Sequence, residues 1–196
     1  MSELVLTILS QNTSDANSGR AFMRLRSRFG SWEDLLAADQ EEIVPEIQVG
    51  GLARIKAPRI KAALAAVYQR RGSFDIQFLR ELRLEEAKAW LRELKGVGPK
   101  TAACVLMFAL GRPALPVDTH VHRVAQRLGL VPAKAGAAQA HDILEAILEP
   151  DEVYAFHISL IKHGRRICRA QQPLCERCPL LDGCPAGQGF IRGRSG

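Results

Sequence analysis

Three groups of residues in this 196-residue chain have the types and spacing to do chemistry. The most compact is Cys168, Cys175, Cys178 and Cys184, separated by six, two and five residues. Thiolates this close together, in irregular and basic chain, read as ligands of a metal. A zinc ribbon shows two paired C-x-x-C knuckles, and only one close pair is present here. Four compact thiolates also suit a cubane iron–sulfur cluster. Spacing leans only slightly toward iron–sulfur, so zinc stays open. Lys162, Arg165, Arg166, Arg169 and Arg177 crowd the same region with Glu176 nearly alone against them. Such a patch binds phosphate whichever metal is held. The fifth cysteine, Cys104, falls within an apolar helical run and reads as a core residue.

The second group is Leu94-Lys95-Gly96-Val97-Gly98-Pro99-Lys100-Thr101-Ala102. Two glycines around one apolar residue make a tight hairpin, with Val97 plugging the gap between two helices. Pro99 suits the first turn of the second helix. That helix start offers free N–H groups and a positive dipole end to a phosphate. The pattern is that of a helix-hairpin-helix, which grips a DNA backbone without reading its sequence. An ordinary helix connection is the plainer reading; Leu-x-x-Leu-x-Gly-Val-Gly in this register favours the DNA element. Lys100 is either a solvated surface lysine or a nucleophile. The positive helix end favours its neutral amine, which is suited to forming a Schiff base with a sugar carbon.

The third group is Pro116-Val117-Asp118-Thr119-His120-Val121-His122-Arg123. Taken alone, Asp118 is an N-cap. It follows Lys100 by eighteen residues, with one helix and one turn between. A connection that short can bring both helix starts to one cleft. His120 and His122 are two apart, poor spacing for two ligands on one helical face, and are expected at the surface or in a groove.

The elements that must position these groups are helical throughout. Apolar residues recur with helical period over 2–11, 53–70, 84–94, 99–110, 119–128, 137–148 and 153–164, and no segment alternates as a strand. Asp15 is expected to cap a helix over 16–29, with Gly30 as its stop. Ser31 and Asp39 open two shorter helices, the second interrupted by Pro45. From Cys168 onward helical period vanishes, and 187–196 reads as a frayed Gly/Arg-rich tail. The fold class is all-α.

Composition sets the outer bounds. Lys and Arg number 27 against 21 Asp and Glu, for a net charge of +6 and a pI near 9.3. A polyanionic partner follows most simply. No stretch approaches the roughly 20 apolar residues that span a bilayer. The run from Leu4 to Leu9 is short for a signal segment, and Glu3 stands where basic residues are expected. A cytoplasmic chain is expected, nucleoid-associated if bacterial, or else a nuclear one. Disulfides are then the least favoured use of the cysteines.

Taken in order, these motifs, with His163-Gly164-Arg165, Leu9-Ser10 before Asp15, and Gly51-Leu52 with Lys56, resemble the endonuclease III family of helix-hairpin-helix DNA glycosylases. The resemblance runs over most of the chain. It implies a six-helix barrel domain carrying the hairpin (1–113) beside a small helical iron–sulfur cluster domain (114–196), with DNA across the cleft between them. It implies excision of oxidised pyrimidines from double-stranded DNA, then strand cleavage at the abasic site. Lys100 falls at the family's Schiff-base lysine, Asp118 at its catalytic aspartate, and the four cysteines at its 4Fe–4S ligands. Gln11, Asn12, Leu52, Gly96, Val97, Gly98, His120 and Arg165 fall at DNA-contact positions. Asn12 takes the place of a gap-filling Gln and is one methylene shorter, and Leu52 takes the wedge position. The family's further N-terminal helix has no counterpart here, which implies a truncated start or a smaller cluster domain. The segment 72–84 is longer than usual. A monomer without membrane contact is expected. An adenine or mismatch glycosylase of the same superfamily and a non-catalytic DNA-binding iron–sulfur or zinc module are the alternatives.

Overall fold

Helix α1, Ser2–Leu9, is short and apolar, and Leu4, Val5, Ile8 and Leu9 are fully buried. A helix so covered must lie inside its unit, and α1 packs against four neighbours, α2 (Asp15–Arg28), α5 (Ala53–Arg71), α7 (Pro99–Cys104) and the turn over Val105–Ala109. The computed structural model describes residues 1–192, and those residues are helical without a strand. The chain divides into two units, Met1–Arg112 and Pro113–Gly196.

In the first unit the cap of α2 is Ser14, one residue before the expected Asp15. The Ser14 hydroxyl accepts from the Asn17 amide at 3.2 Å, which leaves Asp15 in the first turn facing the positive helix end. Ser31 and Asp39 open α3 (Trp32–Ala37) and α4 (Gln40–Ile47) as expected, Ser31 through a reciprocal capping box and Asp39 through its amide, which donates to the Glu42 carboxylate at 3.0 Å. Pro45 does not interrupt α4. It removes one N–H from a short helix whose Ile43 and Ile47 are fully buried, and that burial holds the turn together. Helix α5 buries Ala57, Ile60, Ala63, Leu64 and Val67 and turns its arginines outward.

The helix α7 does not run straight to residue 110. It gives way to a π turn over Val105–Ala109, whose wider winding buries Val105, Leu106 and Met107 while half-exposing Phe108. Arg112 then donates to the carbonyls of Leu79, Arg80 and Leu82, at 2.8, 2.8 and 2.9 Å. One guanidinium thereby pins the connection before α6 (Leu84–Arg92), the segment that reads as long in sequence.

The second unit is built on α8 (Thr119–Arg127), with α9 (Ala137–Glu145) and α10 (Val153–Arg166) packed on it. Beyond Cys168 the chain is more regular than its Pro/Gly content suggests. A 3₁₀ turn spans Cys175–Arg177, and α11 spans Pro185–Arg192. The expected fraying at 187–192 is therefore corrected. Tertiary packing wins over glycine's low helix propensity, since a Cβ at Gly187 would meet Leu181 at 3.2 Å and the Cys184 sulfur at 3.3 Å. The rest of that tail, 193–196, lies outside the described residues. Among the described residues no helix is long and apolar enough to cross a membrane.

Candidate functional site

In the first unit the hairpin is set by burial. Leu94 and Val97 are buried, and the Val97 amide closes the turn on the Leu94 carbonyl at 3.0 Å. Gly96 has φ +86°, and a Cβ there would press on the Arg59 side chain at 3.3 Å. Glycine is required at that position. Gly98 is different: its backbone is extended, and open space surrounds it. Among the described residues nothing demands a glycine there, and its small size leaves the tip of the hairpin open.

Lys100 stands in the first turn of α7, half-buried. Helix α1 places Glu3 within reach of its charge. Burial raises the Glu3 carboxyl above the usual carboxylate range, while a hydrogen bond from the Thr7 hydroxyl (3.1 Å) and the positive charge of Lys100 pull it back. Sequence reading gives Glu3 no place beside Lys100, because that relation arises only from the packing of α1 on α7.

Two loops of the same unit carry the expected DNA-contact residues. The Gln11 amide oxygen accepts from Arg59 at 3.1 Å. Asn12 (φ +53°) and Leu52 (φ +52°) are the only non-glycine residues with left-handed backbone among those described. Leu52 is 48% exposed, an apolar side chain held out to solvent on a strained residue.

In the second unit Asp118 does cap α8. Its Oδ1 accepts from the His120 and Val121 amides at 2.9 and 2.8 Å, which fixes the carboxylate and leaves Oδ2 without a partner among the described residues. Cap and reactive carboxylate are thus compatible roles for one side chain. His122 donates from Nε2 to the Ala135 carbonyl at 2.9 Å, which occupies it structurally. The His120 ring accepts from Arg123 at 3.1 Å. Arg165 is exposed near the end of α10.

The four cysteines form no disulfide and line one pocket with roughly 330 Å³ of unfilled space, part of it open to solvent. N–H groups point at these sulfurs. Arg127 donates to Cys168 at 3.3 Å, the Gly187 amide donates to Cys184 at 3.3 Å, and the His163 ring lies 3.6 Å from Cys178. Burial raises the Cys175 thiol above its ordinary value, reinforced by Cys168, Cys178 and Cys184 and opposed by Arg127. Such groups are stabilised as thiolates by N–H donors and a positive ion, so the donor set fits a thiolate-bound metal group. Among the described residues no three His, Cys, Asp or Glu side chains gather tightly enough to hold a single ion.

Two arginines missed by the sequence reading hold this loop. Arg123 donates to the carbonyls of Gly164 (3.0 Å) and Cys168 (3.1 Å). Arg127 donates to those of Arg169 (2.6 Å) and Ala170 (2.8 Å) and lies over the Phe190 ring. Their spacing of four residues on α8, facing the cysteine segment, was the available signal.

Comparison with known proteins places these features in company. A family model described as HhH-GPD superfamily base excision DNA repair protein matches residues 5–150. An Arabidopsis thaliana protein whose name assigns it provisionally to the DNA glycosylases, At3g47830, is 43% identical over 189 residues. That match covers 91% of this chain and only 64% of the plant protein. Endonuclease III of Thermotoga maritima is 34% identical over 196 residues, covering 98% of this chain and 87% of that enzyme. A solved non-covalent endonuclease III–DNA complex superposes with a TM-score of 0.85 at 33% identity, covering 97% of this chain and 85% of the solved one.

Proposed function

The chain belongs to the endonuclease III family, within the HhH-GPD superfamily of base excision DNA repair proteins, and from that membership we propose a bifunctional DNA glycosylase and AP lyase acting on oxidised pyrimidines in duplex DNA. The observation that carries the lyase half is Lys100 itself, a primary amine in the first turn of the helix that the hairpin opens. Solved relatives include a trapped endonuclease III–DNA covalent intermediate, and a covalent bond to DNA is what attack by the Lys100 amine would form.

The damaged nucleotide leaves the base stack, because its sugar carbon is shielded inside the duplex. The Lys100 nitrogen attacks C1′, the bond from C1′ to the base breaks, and the base departs with the electron pair and takes up a proton. Asp118 stabilises positive charge developing on the sugar and accepts the proton that the lysine nitrogen sheds. Opening of the sugar ring gives the imine. Loss of a C2′ proton then expels the 3′ phosphate by β-elimination. Gly96, Val97, Gly98, His120 and Arg165 hold the backbone, and Asn12 and Leu52 enter the space that the extruded base vacates, with Gln11 beside them.

Cys168, Cys175, Cys178 and Cys184 are assigned to a 4Fe–4S cluster. Thiolates spread around a shared space suit a multi-iron cluster better than one tetrahedral zinc, whose sulfurs all lie about 2.3 Å from a point. When bound, the cluster would order the basic segment 165–177 against phosphates. The first unit is taken as the family's six-helix barrel and the second as its cluster domain.

Borohydride trapping on a duplex with one thymine glycol tests the reading. A covalent adduct, lost in Lys100→Gln while DNA binding persists, is the expected result. Base release without an adduct would replace it with a water-using adenine- or mismatch-type glycosylase. Neither adduct nor release would leave a non-catalytic DNA-binding module.

A further inference from the structure

Lys56 is a charge where none is expected. It is 1% exposed, among the largest fully buried side chains of the molecule. Its ammonium donates to the Leu9 carbonyl and to the Gly50 carbonyl, both at 2.7 Å. Leu9 is the last residue of α1, and Gly50 ends the 3₁₀ turn over Gln48–Gly50. Both carbonyls belong to helix ends whose own ladders leave them unpaired. Three residues after Leu9 comes Asn12, and two after Gly50 comes Leu52. The two non-glycine residues in left-handed backbone therefore each lie within three residues of a carbonyl held by the same amine.

Other contacts converge on this arrangement. The Lys56 amide itself bonds to the Leu52 carbonyl at 2.9 Å, so its backbone and side chain grip the second loop from both ends. One turn on, Arg59 holds Gln11 of the first loop. Gly50 is pressed so closely on α2 that a Cβ there would meet the Ala21 Cβ at 3.2 Å. Left-handed non-glycine backbone persists only where its surroundings over-determine it. A buried amine, costly to desolvate, is retained where two fixed acceptors need a common donor.

We propose that Lys56 is a positioning residue that locks the loops carrying Asn12 and Leu52 into one register, so that both side chains enter the DNA stack together. This rests on the reading of Asn12 and Leu52 as gap-filling residues. Lys56 touches no DNA in this account; it acts through the two loops.

Two measurements on the intact 196-residue chain separate the parts. The first is amide hydrogen exchange without DNA. Lys56→Met keeps the bulk of the side chain and removes the donor, and exchange should quicken at residues 10–13 and 50–53 together. Gly50→Ala shifts the second acceptor without touching Lys56, should quicken both segments too, and serves if Lys56→Met fails to fold. Acceleration in one loop only, or in neither, overturns the clamp whatever the protein's activity.

The second measurement is cleavage of a duplex containing one abasic site. Lys56→Met should cut about tenfold more slowly, the loss expected when the competent loop arrangement falls to roughly a tenth of the molecules. Added to Asn12→Ala/Leu52→Ala, the same change should have no further effect, since the loops then present nothing to align. Losses that multiply would mean Lys56 acts elsewhere and overturn the proposal. A wild-type protein that cleaves nothing would sink the lyase reading and the DNA half of this one, while the exchange result still decides the clamp.

Discussion

Replacing Gly164 by alanine tests why a glycine stands between His163 and Arg165 in α10. A Cβ on Gly164 would lie 3.1 Å from the His120 Cβ, 3.2 Å from the Val124 Cγ2 and 3.2 Å from the Arg123 guanidinium. The first two atoms are rooted close to the α8 backbone and cannot swing away. The third is tied down, since that Arg123 nitrogen donates to the Gly164 carbonyl at 3.0 Å. Three contributions set the magnitude. Overpacking a close interface costs about 1–3 kcal/mol. Loosening the Arg123 hydrogen bond costs about 1 kcal/mol more. Better helix propensity of alanine returns about 1 kcal/mol. The net is about 2 kcal/mol of destabilisation, or about 4–8 °C in melting temperature for a chain of this length. Calorimetry on the purified protein gives the shift. Gly189→Ala in α11, where a Cβ meets nothing within 4 Å, is the control and should leave the melting temperature level or raise it. If Gly164→Ala melts with wild type, α8 and α10 do not approach as described, and the glycine serves something other than their packing.

Cys178→Ser replaces a thiolate with a weak iron ligand; it should remove the brown colour and visible absorbance and lower the melting temperature of the second unit. Stoichiometric zinc with no visible absorbance in the wild type would refute the cluster. Ser31→Ala should lower stability by about 1 kcal/mol at neutral pH through loss of the α3 cap. The hydrogen bonds of Ser31, its hydroxyl first and its amide second, hold the Asp34 carboxyl below the usual range, so that contribution is present above the ordinary carboxylate pKa and lost as pH falls through the depressed one. Denaturant titrations of both proteins should therefore draw closer in strong acid without meeting, since the Asp34 amide still donates to the Ser31 hydroxyl there, and a gap that stays constant down to low pH would refute the cap's carboxylate half.

How far the molecule was legible in sequence depended on the range of the cause. Local causes were readable: Ser31 and Asp39 open helices because side-chain to amide bonds within the first turn are enough to do it. Where two local candidates compete, as Ser14 and Asp15 do, the choice shifts by one residue. Proline was overvalued at Pro45, because burial of Ile43 and Ile47 is a tertiary term that a breaker rule omits. The opposite error came after Cys184, where Pro185, Gly187 and Gly189 read as irregular yet form α11 through a contact between Gly187 and Cys184. Long-range ties were hardest to see. Nothing near Lys56 in sequence announces that its amine will find carbonyls on two other segments, and nothing near Arg127 announces Arg169 and Ala170.

Asp118 carries the more general point. A cap and a reactive carboxylate look like competing explanations in sequence, and capping is the commoner fate of such a residue. The structure removes the competition, because capping uses one oxygen and leaves the other. The cap also restrains the side chain, which a charge-stabilising group needs if it is to cost no reorganisation during reaction. Lys56 shows the same economy, since pairing two helix-end carbonyls is a structural task that also fixes where two strained residues point. In both cases the local rule explains why the residue type is tolerated. What lies beyond the bond it makes, an open carboxylate oxygen or a loop aimed at solvent, decides whether the position can serve chemistry as well.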